Sequence, residues 1–266
     1  MVAETTGIIG AGVMGEAILS GLLRAGRPAA SLLVGERRPD RAAELTERYG
    51  VRVVSNGEAA TADTVMLVVK PQDMSAVLDG ITPVLRSGQL VVSLAAGITV
   101  AFIEAKVPAG VGVVRVMPNT PALVDAGMAA MSPGSAVTAD QLAEAESLLA
   151  SVGKVVEVPE YQQDAVTAIS GSGPAYVFYV VESMIEAGVH LGLPRTVATE
   201  LTIQTLVGSA AMLRETGTHP TVLREQVTSP AGTTAAALRE LDDHKVRAAF
   251  IAAMEAARDR SRALGQ

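Results

Sequence analysis

Short apolar runs alternate with longer amphipathic stretches through the first 158 residues. Gly7-Ile8-Ile9 reads as a buried strand, and Ala17-Ile18-Leu19 with Leu22-Leu23 recurs at helical spacing. Leu32-Leu33-Val34 predicts a second strand, and Arg41 to Tyr49 a polar helix. Val51–Val54, Val65–Val69, Leu90–Leu94 and Val111–Val116 continue the strand series. Strands and helices alternating at this spacing require right-handed crossovers, and so a mostly parallel, doubly wound sheet. Gly127–Met131 and Lys154–Val158 are expected as late edge strands flanking a helix from Ala139 to Ser151.

After Pro159 the strand signals stop. Gln163–Leu191, Arg195–Thr216, Ala235–Asp242 and Lys245–Leu264 read as helices, punctuated by Gly192-Leu193-Pro194 and by Gly217-Thr218-His219-Pro220. The expected organisation is α/β: a Rossmann-type domain over residues 1–158 and an all-helical domain over 159–266. Tyr176–Val189 is apolar around much of its circumference, and a helix of that kind must be buried. So small a helical domain cannot cover it alone, so a partner subunit is expected to do so, in an obligate dimer.

Composition narrows the function. The chain has 266 residues, 49% hydrophobic and 18% charged, with a net charge of −7. No Lys/Arg cluster overrides that balance, which argues against a nucleic-acid partner. The absence of cysteine rules out disulfides and thiolate metal sites. No metal site is expected. No apolar run reaches the roughly 18 residues of a membrane span. Met1-Val2-Ala3-Glu4-Thr5 carries no basic region of a signal peptide, so a soluble cytoplasmic protein is expected.

Gly10-Ala11-Gly12-Val13-Met14-Gly15 is a G-x-G-x-x-G between a strand and a helix. Its glycines allow a tight turn and close approach of backbone N–H groups to a pyrophosphate. With Ile9 ahead of it, it predicts a dinucleotide site. The second strand ends in Gly35-Glu36-Arg37-Arg38. An acidic residue there suits the ribose of NAD, and arginines suit the 2′-phosphate of NADP. Two arginines beside one Glu tip the expectation to NADPH with NADH use retained. Further cofactor candidates lie at or beside strand ends: Asn56, Val68-Val69-Lys70-Pro71, Ala95-Ala96 and Asn119, whose amide could bond the nicotinamide carboxamide.

Val227-Thr228-Ser229-Pro230-Ala231-Gly232-Thr233-Thr234 forms a loop that runs into an Ala/Leu/Arg/Glu helix. Thr233 or Thr234 is expected to cap that helix, placing a hydroxyl and unpaired N–H groups at the positive end of its dipole. Such a site suits a small carboxylate.

The run from Val227 to Leu241 resembles the signature of pyrroline-5-carboxylate reductases. The likeness extends along nearly the whole chain. It includes the Gly-rich turn, Val69-Lys70-Pro71, Ser93–Gly97, Met117-Pro118-Asn119-Thr120-Pro121, Asp164–Thr167 and Ser170-Gly171-Ser172-Gly173-Pro174-Ala175-Tyr176. Members of the family commonly carry Gly where this chain has Ala231, a change expected to matter little if Gly232 holds the turn.

The resemblance implies reduction of the cyclic imine L-1-pyrroline-5-carboxylate to L-proline, the last step of proline biosynthesis. It implies a homodimer, extending to rings of dimers. The substrate carboxylate would rest on Gly232, Thr233 and Thr234 after Ser229, with the Thr234 hydroxyl, the catalytic candidate, toward the ring nitrogen. Glu160 would lie near the substrate and Gln226 near the cofactor. Ser170 to Pro174 would be a tight bend where a helix approaches the nicotinamide.

The inventory of residues suits an imine. No Lys or His falls within the Ser170 or Ser229 segments, so there is no strong general acid for a ketone. An imine nitrogen is basic enough to enter protonated, which leaves the site to supply positioning. A β-hydroxyacid dehydrogenase would need a lysine after its Gly-rich helix turn, and Pro174-Ala175-Tyr176 follows here instead. A non-catalytic nucleotide-sensing protein is the other alternative, and the intact substrate loop argues against it.

Overall fold

The structure, a computed structural model, describes residues 4–264; Met1–Ala3, part of the reading of the chain's start, lie outside the described residues. The first half runs β1 (Thr6–Ile9), α1 (Val13–Arg24), β2 (Leu32–Gly35), α2 (Pro39–Tyr49), β3 (Arg52–Val54), α3 (Asn56–Ala59) and β4 (Thr64–Leu67). It continues with α4 (Met74–Ile81), β5 (Leu90–Ser93), α5 (Val100–Glu104), β6 (Gly112–Met117), β7 (Gly127–Pro133), α6 (Ala139–Ala150) and β8 (Gly153–Glu157). The helical part comprises α7 (Gln163–Val166), a π-helical turn (Thr167–Gly171), α8 (Gly173–His190), α9 (Arg195–Thr216), α10 (Pro220–Gln226), α11 (Thr233–Asp243) and α12 (Val246–Leu264).

The eight strands lie in the order β3-β2-β1-β4-β5-β6-β7-β8. All pairs are parallel except β6 with β7. Alternate residues of each strand serve opposite faces. Ile8, Val34, Met66, Val92 and Val114 pack with Ile18, Leu45 and Leu148 of α1, α2 and α6. Ile9, Leu33, Leu67, Val91 and Val113 pack with Leu78 and Ile103 of α4 and α5 on the other side. Helices on both faces explain why the strands read as unbroken apolar runs rather than alternating ones. Each such side chain contributes about 1.5–3 kcal/mol when withdrawn from water.

Two expectations need correction here. β7 is not an edge strand: it lies between β6 and β8, because it runs antiparallel to the first and parallel to the second. Gln163–Leu191 is not one helix. It is interrupted by the π-helical turn, in which Ser172 N–H reaches back to Thr167 O at 2.8 Å. A further helix, α10, occupies the region after Gly217–Pro220 that reads as punctuation. Pro220 is its first residue and His219 Nδ1 caps it by accepting the Thr221 N–H at 3.2 Å.

The chain divides into two compact units, residues 1–172 with 257–266, and residues 173–256. The expected division at 158/159 falls earlier. The end of α12 therefore belongs to the first unit, where Ser261 Oγ donates to Asp164 Oδ1 at 2.7 Å. Within the second unit, α8 turns into α9 through Leu191–Pro194, with Gly192 left-handed at φ +95°. Gly188 lets the two helices close: a Cβ there would stand 2.9 Å from that of Ala198. Among the described residues no helix is long and apolar enough to cross a membrane, and no cluster of metal-ligating side chains occurs.

Candidate active site

The strand order reverses between β1 and β4, and ligands of open α/β sheets bind outside the carboxyl ends of strands at such a point. Gly10 follows β1 with φ +101°, and a Cβ on it would come within 2.6 Å of Val68 O. The Gly-rich turn is thus pressed directly against the Val68–Pro71 loop. Gly12 is the N-cap of α1; no side chain caps this helix, and the space where its Cβ would sit is open. Uncapped N–H groups with room in front of them fit a dinucleotide pyrophosphate. Ala11 is buried, whereas Val13 is largely exposed on the same turn. Ala95 is buried after β5, with Ala96 partly open beside it.

Glu36, Arg37, Ser55 and Asn56 line one open cleft beyond β2 and β3. The two arginines differ. The Glu36 carboxylate accepts the Arg38 backbone N–H at 2.9 Å and its Nε at 3.5 Å. Arg37 is exposed and makes no hydrogen bond or ion pair among the described residues. The Lys70 side chain, exposed at the end of its loop, likewise has no partner among them.

One feature of this region escapes sequence reasoning. Glu16, directly after the Gly-rich turn, accepts from Tyr49 OH at 2.8 Å and Arg48 Nη1 at 2.9 Å, and pairs with Arg41. Arg41 also holds Glu44 at 2.6 Å. Burial pushes the Glu16 carboxyl up, but the Tyr49 hydroxyl, Arg41 and Arg48 outweigh it and hold it below the usual carboxylate range. The cluster ties α2, and hence the 36–38 loop before it, to the start of α1. The charged residues of the polar helix α2 are plain in the sequence, but the carboxylate that Arg41 and Arg48 share lies on another element.

Glu160 and Asn119 prove to be engaged within the first unit. Glu160 Oε1 accepts the Val100 N–H at 2.7 Å and Arg115 Nη1 at 3.2 Å. Arg115, only 6% exposed, is a charge set in the apolar β6 run, which is the sequence signal that it needs a buried partner. The Asn119 amide bonds Met128 and Ser170.

In the second unit the 227–234 loop corrects two expectations. Gly232 is the N-cap of α11, with extended backbone (φ −82°, ψ 173°), and neither Thr233 nor Thr234 caps the helix. Both threonines already lie within its first turn, too far along to reach back. The Thr234 hydroxyl therefore has no partner among the described residues. Nor does Gly232 supply the turn. Ser229 O accepts the Gly232 N–H at 3.0 Å, and Ala231 adopts the left-handed conformation at φ +55°. Pro230 followed by a left-handed residue is the arrangement for which glycine is usual at the second place. What Gly232 provides is room, since a Cβ there would collide with Ser229 Oγ. Gln226, exposed, closes α10 just ahead of this loop.

Residues 160–264 match the family model described as pyrroline-5-carboxylate reductase dimerisation, and residues 5–97 that described as NADP oxidoreductase coenzyme F420-dependent. The chain is 48% identical over 267 residues to the pyrroline-5-carboxylate reductase of Corynebacterium melassecola, covering 98% of this chain and 99% of the relative. Among solved structures it resembles a pyrroline-5-carboxylate reductase from Coxiella burnetii, with a TM-score of 0.94 and 37% identity over 99% of both chains. It also resembles the Plasmodium falciparum pyrroline carboxylate reductase solved with NADP bound, with a TM-score of 0.90 and 32% identity over the full length of both. Coverage from end to end, by sequence and by fold, means that this chain belongs to the pyrroline-5-carboxylate reductase family.

Proposed function

We propose that this protein reduces L-1-pyrroline-5-carboxylate to L-proline with NAD(P)H, the last step of proline biosynthesis, as a cytoplasmic homodimer. The observation that carries the reading is the start of α11: an uncapped helix with Thr233 and Thr234 in its first turn and an unpartnered Thr234 hydroxyl. Free N–H groups at a helix start favour a carboxylate by about 0.3–1 kcal/mol at exposed sites, and more where water is excluded.

When bound, the reduced nicotinamide supplies the hydride that C5 of the imine accepts. The cofactor is assigned to Ile9–Gly15, Glu36–Arg38, Asn56, Val68–Pro71 and Ala95-Ala96, with Gln226 as a further contact. The carboxylate is assigned to the loop of Gly232, Thr233 and Thr234: the Thr233 and Thr234 backbone N–H groups hold it, Gly232, whose own N–H is donated to Ser229 O, leaves room for it, and Ser229 stands beside them. The Thr234 hydroxyl bonds the ring nitrogen and orients the protonated C=N. The N–H proton of proline is the one the iminium brought in, so no stronger acid is required of the loop. Glu160 acts at one remove in this reading, because its Oε1 already holds Val100 and Arg115.

Following NADPH and NADH oxidation on addition of pyrroline-5-carboxylate, with chromatographic detection of proline, tests the assignment. Stoichiometric proline is expected with both cofactors, at higher efficiency with NADPH. Cofactor binding without turnover would instead favour a nucleotide-sensing protein.

A further inference from the structure

Asn119 follows β6 at the carboxyl edge of the sheet, and its side chain is wholly committed inside the first unit. Oδ1 accepts the Met128 N–H at 2.8 Å, at the beginning of β7. Nδ2 donates to the Ser170 carbonyl oxygen at 3.3 Å and to Ser170 Oγ at 3.2 Å, in the π-helical turn. A backbone N–H can only donate and a carbonyl can only accept, so these partners determine which way the amide points. A flipped amide would set like against like at both ends.

A second, independent contact joins the same two segments. A Cβ on Gly171 would collide with Met117 Cε, so the end of β6 packs flush on the turn that Asn119 bonds. The turn itself is the unusual element. π-helical turns are rare, are less favourable than continued α-helix, and occur disproportionately at functional sites. Among the described residues, Asn119 is the side chain from outside the turn that bonds Ser170. An amide so placed has no donor left over for a ligand.

We propose that Asn119 is a positioning residue for the reduction: it sets the Ser170–Gly171 turn in place and does not itself bind the nicotinamide carboxamide. The proposal rests on the imine-reductase reading, in which the Ser170–Pro174 bend lies against the nicotinamide. Loss of the tie lets the turn drift, and the reacting carbons separate while the cofactor's phosphate contacts, far along the chain at Gly10–Gly15, are untouched.

Two variants separate the roles. Asn119→Ala removes every bond, whereas Asn119→Asp keeps the acceptor for Met128 and loses the donors to Ser170. For both, kcat at saturating NADPH should fall about ten- to a hundredfold, the scale of a small misplacement of reacting groups. The NADPH Kd, measured by fluorescence without substrate, should stay within about threefold of wild type. With NADPH deuterated at the transferred position, the isotope effect on kcat should rise as hydride transfer becomes limiting. Ser170→Ala, which spares the carbonyl acceptor, should lose less than Asn119→Asp. Asn119→Asp, which keeps the bond to Met128, serves if Asn119→Ala fails to fold.

A Kd weakened about tenfold or more with kcat intact would make Asn119 a direct carboxamide ligand and overturn the proposal. Unchanged kinetics in both Asn119 variants would overturn it too. Wild-type protein that binds NADPH without reducing pyrroline-5-carboxylate would remove the underlying reading, a result distinct from either.

Discussion

In the first unit Ile8, Leu19, Val34, Met66 and Val92 are sealed between sheet and helices, whereas in residues 173–256 Phe178, Tyr179, Leu201, Ile203 and Ile251 lie open on the helices. α8, α10 and α11 contain no buried residue at all, and α9 buries only Ala198 and Thr202. Both regions draw on the same apolar side chains. The sheet completes its core within one chain because helices cover both faces. The second unit has no layer to lay over its helices, so its core must be completed by another copy, as the match to the family's dimerisation model accords with. In the proposed reading the cofactor residues lie mostly in the self-contained unit, and the 229–234 loop lies in the unit that a partner copy completes.

The sharpest way to break this contrast is Phe178→Asp. Phe178 is 66% exposed in the single chain, and an aspartate there would be buried unpaired in a dimer. Light scattering should show the dimer lost and activity should drop below detection, while an equivalent charge at exposed Val84 of the first unit should leave both intact. An active monomer would sink the idea of a shared core.

Thr234→Ala comes next. A hydrogen bond to a charged group contributes about 1.5–3 kcal/mol, so kcat/KM should fall roughly ten- to a hundredfold, with Thr234→Ser losing much less. Because Thr234 does not cap α11, the melting temperature should not move. A clear loss of stability would restore the capping role.

The two arginines sharpen the picture within the cofactor unit. Arg37→Ala should weaken NADPH about tenfold relative to NADH, as expected for one exposed charge-assisted contact. Arg38→Ala should do less, since Glu36 already engages that side chain. Equal losses for both cofactors would reduce the arginines to surface charge.

Ala231→Gly probes the substrate loop with a smaller change. A left-handed non-glycine residue costs about 1–2 kcal/mol, partly offset by the greater freedom of glycine when unfolded. A net gain near 1 kcal/mol should raise the melting temperature by about 2–4 °C in a chain of this size. A lower melting temperature would show the turn to be unstrained.

The smallest effect concerns Glu16. Its carboxyl is held low in the folded state, so the stability it contributes is present above the ordinary carboxylate pKa and is lost as pH falls through the folded value. Glu16→Gln should flatten that acid limb in denaturant titrations and leave neutral pH nearly unchanged. An identical acid limb would mean the cluster is not coupled to folding.

The parallel sheet was legible because strands covered on both faces are continuous apolar runs, and the Gly-rich turn because its spacing is tied to one geometry. The extent of α9 and the end of α8 were legible because Gly192-Leu193-Pro194 and Gly217 punctuate the helical pattern there. The break at Thr167–Gly171 was hidden in the helical pattern, since it is held by Asn119, 51 residues earlier, and by the packing of Met117 on Gly171. α10 was missed because His219-Pro220 reads equally as a turn and as a capped helix start.

Periodicity and short motifs are local, and they determined by themselves most of the elements, the layers, the Gly-rich turn and the family to which the loop at 229–234 belongs. Partner choice is not local, and tertiary structure alone decided it. Which arginine Glu36 occupies, where the Asn119 amide points and what neutralises Arg115 depend on side chains brought together from distant positions. Even within the loop, Thr233 and Thr234 were left uncapping, and Ala231 rather than Gly232 took the left-handed turn. A Cβ on Gly232 would meet the Ser229 hydroxyl and come within 3.1 Å of the Ser229 carbonyl oxygen, so glycine gives that place its room while alanine takes the left-handed turn.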